Sequence, residues 1–142
     1  MKRASRTFII GVCLTALSLV LVCIFLVQSR QRREQRASLE EMLTEVRKQG
    51  LAFCYQNDFP RFPHHISYIV TAGQIDQRKA QLWSDRIQLQ SHICTTDPGT
   101  APVAWASFDG KVLVITLDGR IQLITETELS ARRSKYIARD DG

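Results

Sequence analysis

The chain has 142 residues, 44% of them hydrophobic and 23% charged, which suits one globular domain of ordinary size and excludes a disordered polymer. Seven glycines and four prolines exclude collagen-like and low-complexity architectures, and four cysteines are too few for a fold stapled mainly by disulfides. The net charge of +5 is local: residues 1–36 carry seven Lys or Arg against Glu34 alone, leaving 12 basic and 13 acidic side chains in the other 106 residues. A basic isoelectric point would ordinarily raise nucleic-acid binding, but a neutral folded part removes nucleic acid from the expected partners.

From Thr7 to Val27 no residue is charged. Twenty-one helical residues span about 31 Å, the hydrocarbon thickness of a bilayer, and only a helix satisfies its own backbone there. The expectation is a basic cytoplasmic tail over 1–6 and a transmembrane anchor over 7–27. The run exceeds the roughly 7–15 apolar residues of a cleavable signal, and Val27-Gln28-Ser29 followed by arginines is a poor cleavage site. Val12 and Val22 precede Cys13 and Cys23, which does not suit a lipoprotein signal. The outline is similar to a type IV pilin, but residues 1–33 contain no acidic residue, as a pilin helix would near its start. Basic residues flank the segment on both sides, so charge alone sets orientation weakly. The short basic N-terminus resembles a signal anchor, which places the following domain outside the cytoplasm. Arg30 to Arg36 then sit at anionic head groups.

Residues 28–53 read as a juxtamembrane stalk helix. Leu39, Met42, Leu43, Val46 and Phe53 form one apolar stripe on it, and Arg36 with Glu40 forms an i,i+4 pair. The stripe either covers its own domain or binds a partner helix, and Leu39, Met42, Leu43 and Val46 are the candidate partner-binding residues. Gly50 is a candidate helix end, and Pro60 and Pro63 forbid continuation beyond the following loop.

Residues 54–142 are expected to form a small disulfide-linked α+β domain, an antiparallel sheet with one or two helices. Ile66 to Val70 reads as a strand, Gly73 to Trp83 as a helix, and Ile87 to Ile93 as a strand of period two. Val103–Phe108, Lys111–Leu117 and Arg120–Thr125, joined by Asp109-Gly110 and Asp118-Gly119, predict a three-strand meander. Both faces of its middle strand are apolar, so that strand should be central and covered by helix. Thr125 and Glu128 form a capping box that opens a last helix ending near Ala138.

Cys54 and Cys94 are the only thiols outside the apolar segment. In an oxidising compartment such a pair is most often a structural disulfide, and closing a loop of this length would stabilise by about 4 kcal/mol at most. Adjacent His64 and His65, and His92, lack the converging third ligand a metal needs, and are expected as solvated loop residues. Trp83 and Trp105 are core candidates, or the wall of an apolar ligand pocket. Arg132, Arg133 and Lys135 read as a solvated helix face. Neither a nucleophile elbow nor a phosphate-binding loop occurs, so no enzyme class, cofactor or metal is expected.

The expected role is therefore binding. The chain reads as an accessory protein of the inner (plasma) membrane whose periplasmic domain contacts another membrane-anchored protein. That partner would be an envelope assembly or secretion component, or a membrane-anchored transcriptional regulator whose small single-span companions share this outline. Homo- or hetero-oligomers through the stalk are the expected assemblies. The alternative is a periplasmic sensor of a small molecule.

Overall fold

The computed structural model describes residues 2–71 and 75–137. It is α+β: a long apolar N-terminal helix and a small antiparallel sheet of four strands. The chain divides into two units, Met1–Ala37 and Ser38–Gly142. Helix α1 runs over Lys2–Gln56, so its last turns belong to the second unit. The domain boundary expected at Cys54 thus falls inside the compact unit.

In the first unit the helix exposes its apolar side chains throughout, from Phe8 to Val27. It is long and apolar enough to cross a membrane. An apolar surface uncovered over this length is what lipid, rather than water, would cover.

In the second unit the elements are α2 (Ile66–Thr71), α3 (Gln77–Arg86), β1 (Gln88–Leu89), β2 (Pro102–Phe108), β3 (Lys111–Thr116), β4 (Ile121–Ile124) and α4 (Glu126–Ile137). The sheet order is β1-β2-β3-β4, every pair antiparallel. The expected meander is present and β3 is interior, buried at every position but Lys111. Leu113, Ile115 and Leu117 join Leu39, Met42, Leu43, Val46, Phe62, Ile69 and Trp83 in the main core. Val112 and Val114 face the other way and meet Trp105, Ile124 and Leu129 of α4. A strand apolar on both faces has ended up covered on both.

The turns follow from their residues. Asp109 and Gly110 both have positive φ, 51° and 73°, the two-residue turn whose twist matches the flanking strands. At the next hairpin Gly119 takes φ 90° in a three-residue loop closed by the Thr116 N–H donating to the Arg120 carbonyl (3.0 Å). Arg47 of α1 donates from Nε to the Leu117 carbonyl at 2.7 Å, which fastens this hairpin to the helix. The Thr125 half of the expected capping box is present: the Glu128 N–H donates to Thr125 Oγ1 at 3.2 Å.

Three expectations fail locally. Ile66 to Val70 is a helix, not a strand, because Ile66 and Ile69 are both buried while Ser67 and Tyr68 are exposed. That three-residue spacing is a helical turn, and it outweighs the β-branched composition. The strand expected over Ile87 to Ile93 shrinks to Gln88–Leu89, since Gln90 is fully buried and His92 turns the chain at φ 66°. Helix α1 passes through Gly50 and stops at Gln56. There Asp58 takes φ 49° and the Phe59 N–H donates back to the Cys54 carbonyl (2.9 Å), a left-handed cap six residues wide. The third helix begins at Gln77, capped by the Asp76 side chain, and the expected start at Gly73 lies outside the described residues, as does the tail from Ala138.

Candidate functional site: an aromatic face beside two thiols

The end of α1, the loop that follows and α2 bring aromatic rings together at the surface. Phe53 meets Phe59 edge-on, with ring centroids 6.3 Å apart and planes at 68°. Phe53 also meets Tyr68 at 6.5 Å, and Tyr68 meets the His64 ring at 5.4 Å. Tyr55, Phe59 and Tyr68 remain 76%, 51% and 47% exposed. The left-handed cap at Asp58 folds Phe59 back beside Phe53, and the helical turn at Ile66 directs Tyr68 away from the core while Ile69 enters it. Aromatic residues are enriched at protein–protein interfaces relative to the rest of a protein's surface.

The two thiols border this face through one residue. Cys54 is buried, and its Sγ donates to the Arg61 carbonyl at 3.2 Å. Arg61 in turn pairs with Cys94 as an isolated antiparallel bridge. That bridge is flanked by the Phe62 N–H donating to Ile93 (2.7 Å) and the Thr95 N–H donating to Pro60 (2.8 Å). The Cys94 N–H donates to Asp97 Oδ2 at 2.8 Å, so Asp97 serves the turn. Both thiols are free in this structure. Burial pushes the Cys54 thiol above its ordinary pKa, partly offset by a backbone hydrogen bond, which keeps it protonated and a weak nucleophile.

The other residues singled out from the sequence sit elsewhere. Leu39, Met42, Leu43 and Val46 lie in the core of their own unit, the last two with no exposed surface. The stripe therefore faces its own sheet and is not open to a partner helix. Trp83 and Trp105 are both buried but in different clusters on opposite faces of the sheet. Neither lines either of two clefts in the folded unit. The Trp105 indole N–H donates to Gln88 Oε1 (3.0 Å), and the Arg133 guanidinium lies 4.5 Å above its ring while donating to the buried Gln90 (2.8 Å). Arg133 is thus a structural cation, not part of a solvated face.

One cleft, about 270 Å³, lies beside His64, His65, Ile66, Ile87 and Leu89. The other, about 220 Å³, lies where the sheet meets α4 and is taken up below. Among the described residues no group of three or more His, Cys, Asp or Glu could hold a metal. Sequence reasoning missed the aromatic face because its members come from a helix end, a loop and a segment read as a strand. The available signal was three aromatics, at 53, 59 and 68, around two prolines and beside polar neighbours.

No family model matches the chain, and neither a curated protein nor a solved structure does so.

Proposed function

We propose that the protein is a non-enzymatic, single-pass accessory of the inner (plasma) membrane that docks another membrane-anchored protein through the face around Phe53, Phe59 and Tyr68. The exposed rings of Phe59 and Tyr68 against half-buried Phe53 carry this reading, because the folded unit uses Leu39, Met42, Leu43 and Val46 of the stripe in its own core and leaves Phe59 and Tyr68 exposed. In this reading the apolar part of α1 spans the bilayer and the folded unit lies in the periplasm. Cys54 and Cys94, which border the same residue, close into a disulfide there. The partner is an envelope assembly component or a membrane-anchored regulator.

A photo-crosslinking amino acid at Tyr68, compared with one at exposed Ser107 on β2, tests the docking face in intact cells. A discrete membrane-protein adduct at Tyr68 that disappears in Phe59→Ser supports the reading. Equal adducts at both positions, or indifference to Phe59→Ser, removes it. An adduct with a second copy of the chain would identify the partner as itself. Topology is read separately with a membrane-impermeant thiol reagent. Labelling of intact cells only after reduction supports a periplasmic disulfide, and labelling only after lysis places the unit in the cytoplasm.

A further inference from the structure

Arg132, Arg133 and Lys135 are near neighbours in sequence and diverge in space. Arg133 goes to Gln90 and Trp105. Arg132 and Lys135 instead join Arg120, from the β3–β4 hairpin, around the cleft of about 220 Å³ between the sheet and α4. Thr100, Gln122 and Tyr136 help to line it, and among the described residues no acidic one does.

The cations in this cleft are held differently. Arg132 is fixed at both ends of its fork: Nη1 donates to Gln122 Oε1 and Nη2 to Glu128 Oε1, each at 2.7 Å. Arg120 pairs with Asp118, Nε to Oδ2 at 3.1 Å, and its side chain is 73% exposed. Lys135 makes no ion pair or hydrogen bond among the described residues. Among the described residues, two carboxylates therefore partly offset three cations and leave an excess positive charge at the cleft. Guanidinium forks match carboxylate and phosphate oxygens in pairs, and an ammonium adds an adaptable point charge. A side chain already fixed by the fold loses little freedom when a ligand arrives.

We infer that this cleft binds a small ligand bearing a carboxylate or phosphate oxyanion, gripped by Arg120 and Lys135 beside the anchored Arg132. The cleft is smaller than the roughly 300–1,000 Å³ typical of organic ligand pockets, so the ligand is a phosphate group or a short dicarboxylate. The inference is independent of the docking face, since it uses none of the same residues.

The test uses the full chain in neutral maltoside micelles, titrated by calorimetry with inorganic phosphate and with succinate. Amide shifts at Gln122 and Lys135 locate any binding. Saturable binding that weakens with salt is expected, with about a tenfold loss in Lys135→Gln and no measurable binding in Lys135→Gln/Arg120→Gln. Lys79→Gln, an exposed charge on α3, should change nothing. A second arm adds phosphatidylglycerol or phosphatidylcholine to the micelles. Shifts with phosphatidylglycerol alone, lost in the double variant, assign the oxyanion to a lipid head group, whereas saturation by phosphate or succinate assigns it to a soluble ligand. Absence of saturation in both arms to about 10 mM overturns the inference. So does a loss in Lys79→Gln equal to that in Lys135→Gln, which would report net charge and no site.

Discussion

Gly50→Ala separates packing from propensity, because the two predict opposite signs. In the interior of an exposed helix, alanine in place of glycine stabilises by up to about 1 kcal/mol. Gly50, however, is buried, and a Cβ built on it would lie 2.3 Å from Cζ and 2.5 Å from Cε2 of Phe62. Carbon atoms rest about 3.5–4.0 Å apart, so the overlap exceeds 1 Å on two atoms. Phe62 has little room to yield: it is 2% exposed, and its N–H is held by the Ile93 carbonyl at 2.7 Å. Overpacking costs about 1–3 kcal/mol, and an overlap this deep belongs at the upper end. Against the propensity gain, a net loss of about 1.5 kcal/mol follows, or a melting temperature lower by roughly 6–12 °C for a domain near 100 residues. Thermal unfolding of the full chain in micelles, followed by the fluorescence of the two buried tryptophans, measures it. Phe62→Leu should relieve Gly50→Ala, giving a favourable coupling of about 1 kcal/mol in the double-mutant cycle. A melting temperature raised by Gly50→Ala, with additive behaviour against Phe62→Leu, would refute the close approach of helix and ring.

Leu43→Ala should cost about 3 kcal/mol in denaturant unfolding, because the side chain is fully buried in the unit's own core, while Tyr55→Ala should cost little. An unchanged midpoint accompanied by loss of the Tyr68 cross-link would return the stripe to a partner. The Asp118 carboxyl is held below its ordinary pKa chiefly by the Thr116 hydroxyl, with further help from the Arg120 N–H and guanidinium. Its folded pKa lies below the unfolded one, so its contribution is complete above the ordinary carboxylate value of about 4 and fades as pH falls through the folded value. Asp118→Asn should therefore flatten the acid side of a melting-temperature profile below about pH 4, and an unaltered acid limb would contradict the assignment.

How much was legible depended on how local the signal was. The meander carried its own instructions: two Asp-Gly turns and a strand apolar on both faces define pairing and place β3 inside the sheet. The apolar run and the Thr125 cap are equally local. Ile66 to Val70 misled because β-branched composition and helical spacing disagree over five residues, and only contact with the core decides between them. Gly50 misled for a related reason. A glycine near a helix end reads as a cap, but here the missing Cβ makes room for Phe62, twelve residues on. That relation exists only after folding.

The candidate surfaces were illegible for a stronger physical reason, because each is assembled from segments that show no shared pattern along the chain. The aromatic face depends on a left-handed residue, Asp58, that turns Phe59 back to Phe53, and on a helical turn that exposes Tyr68. In the cationic cleft, Arg120 comes from a hairpin whose position is fixed from α1, through Arg47 on the Leu117 carbonyl, while Arg132 is aimed by Gln122 on the neighbouring strand. In sequence, Arg132, Arg133 and Lys135 look equivalent. Their separation into a half-buried structural cation and two cleft residues is imposed by what lies opposite each: Gln90 and Trp105 for one, the cleft between the sheet and α4 for the others. A basic run on a helix therefore acquires distinct chemistry only from its tertiary partners.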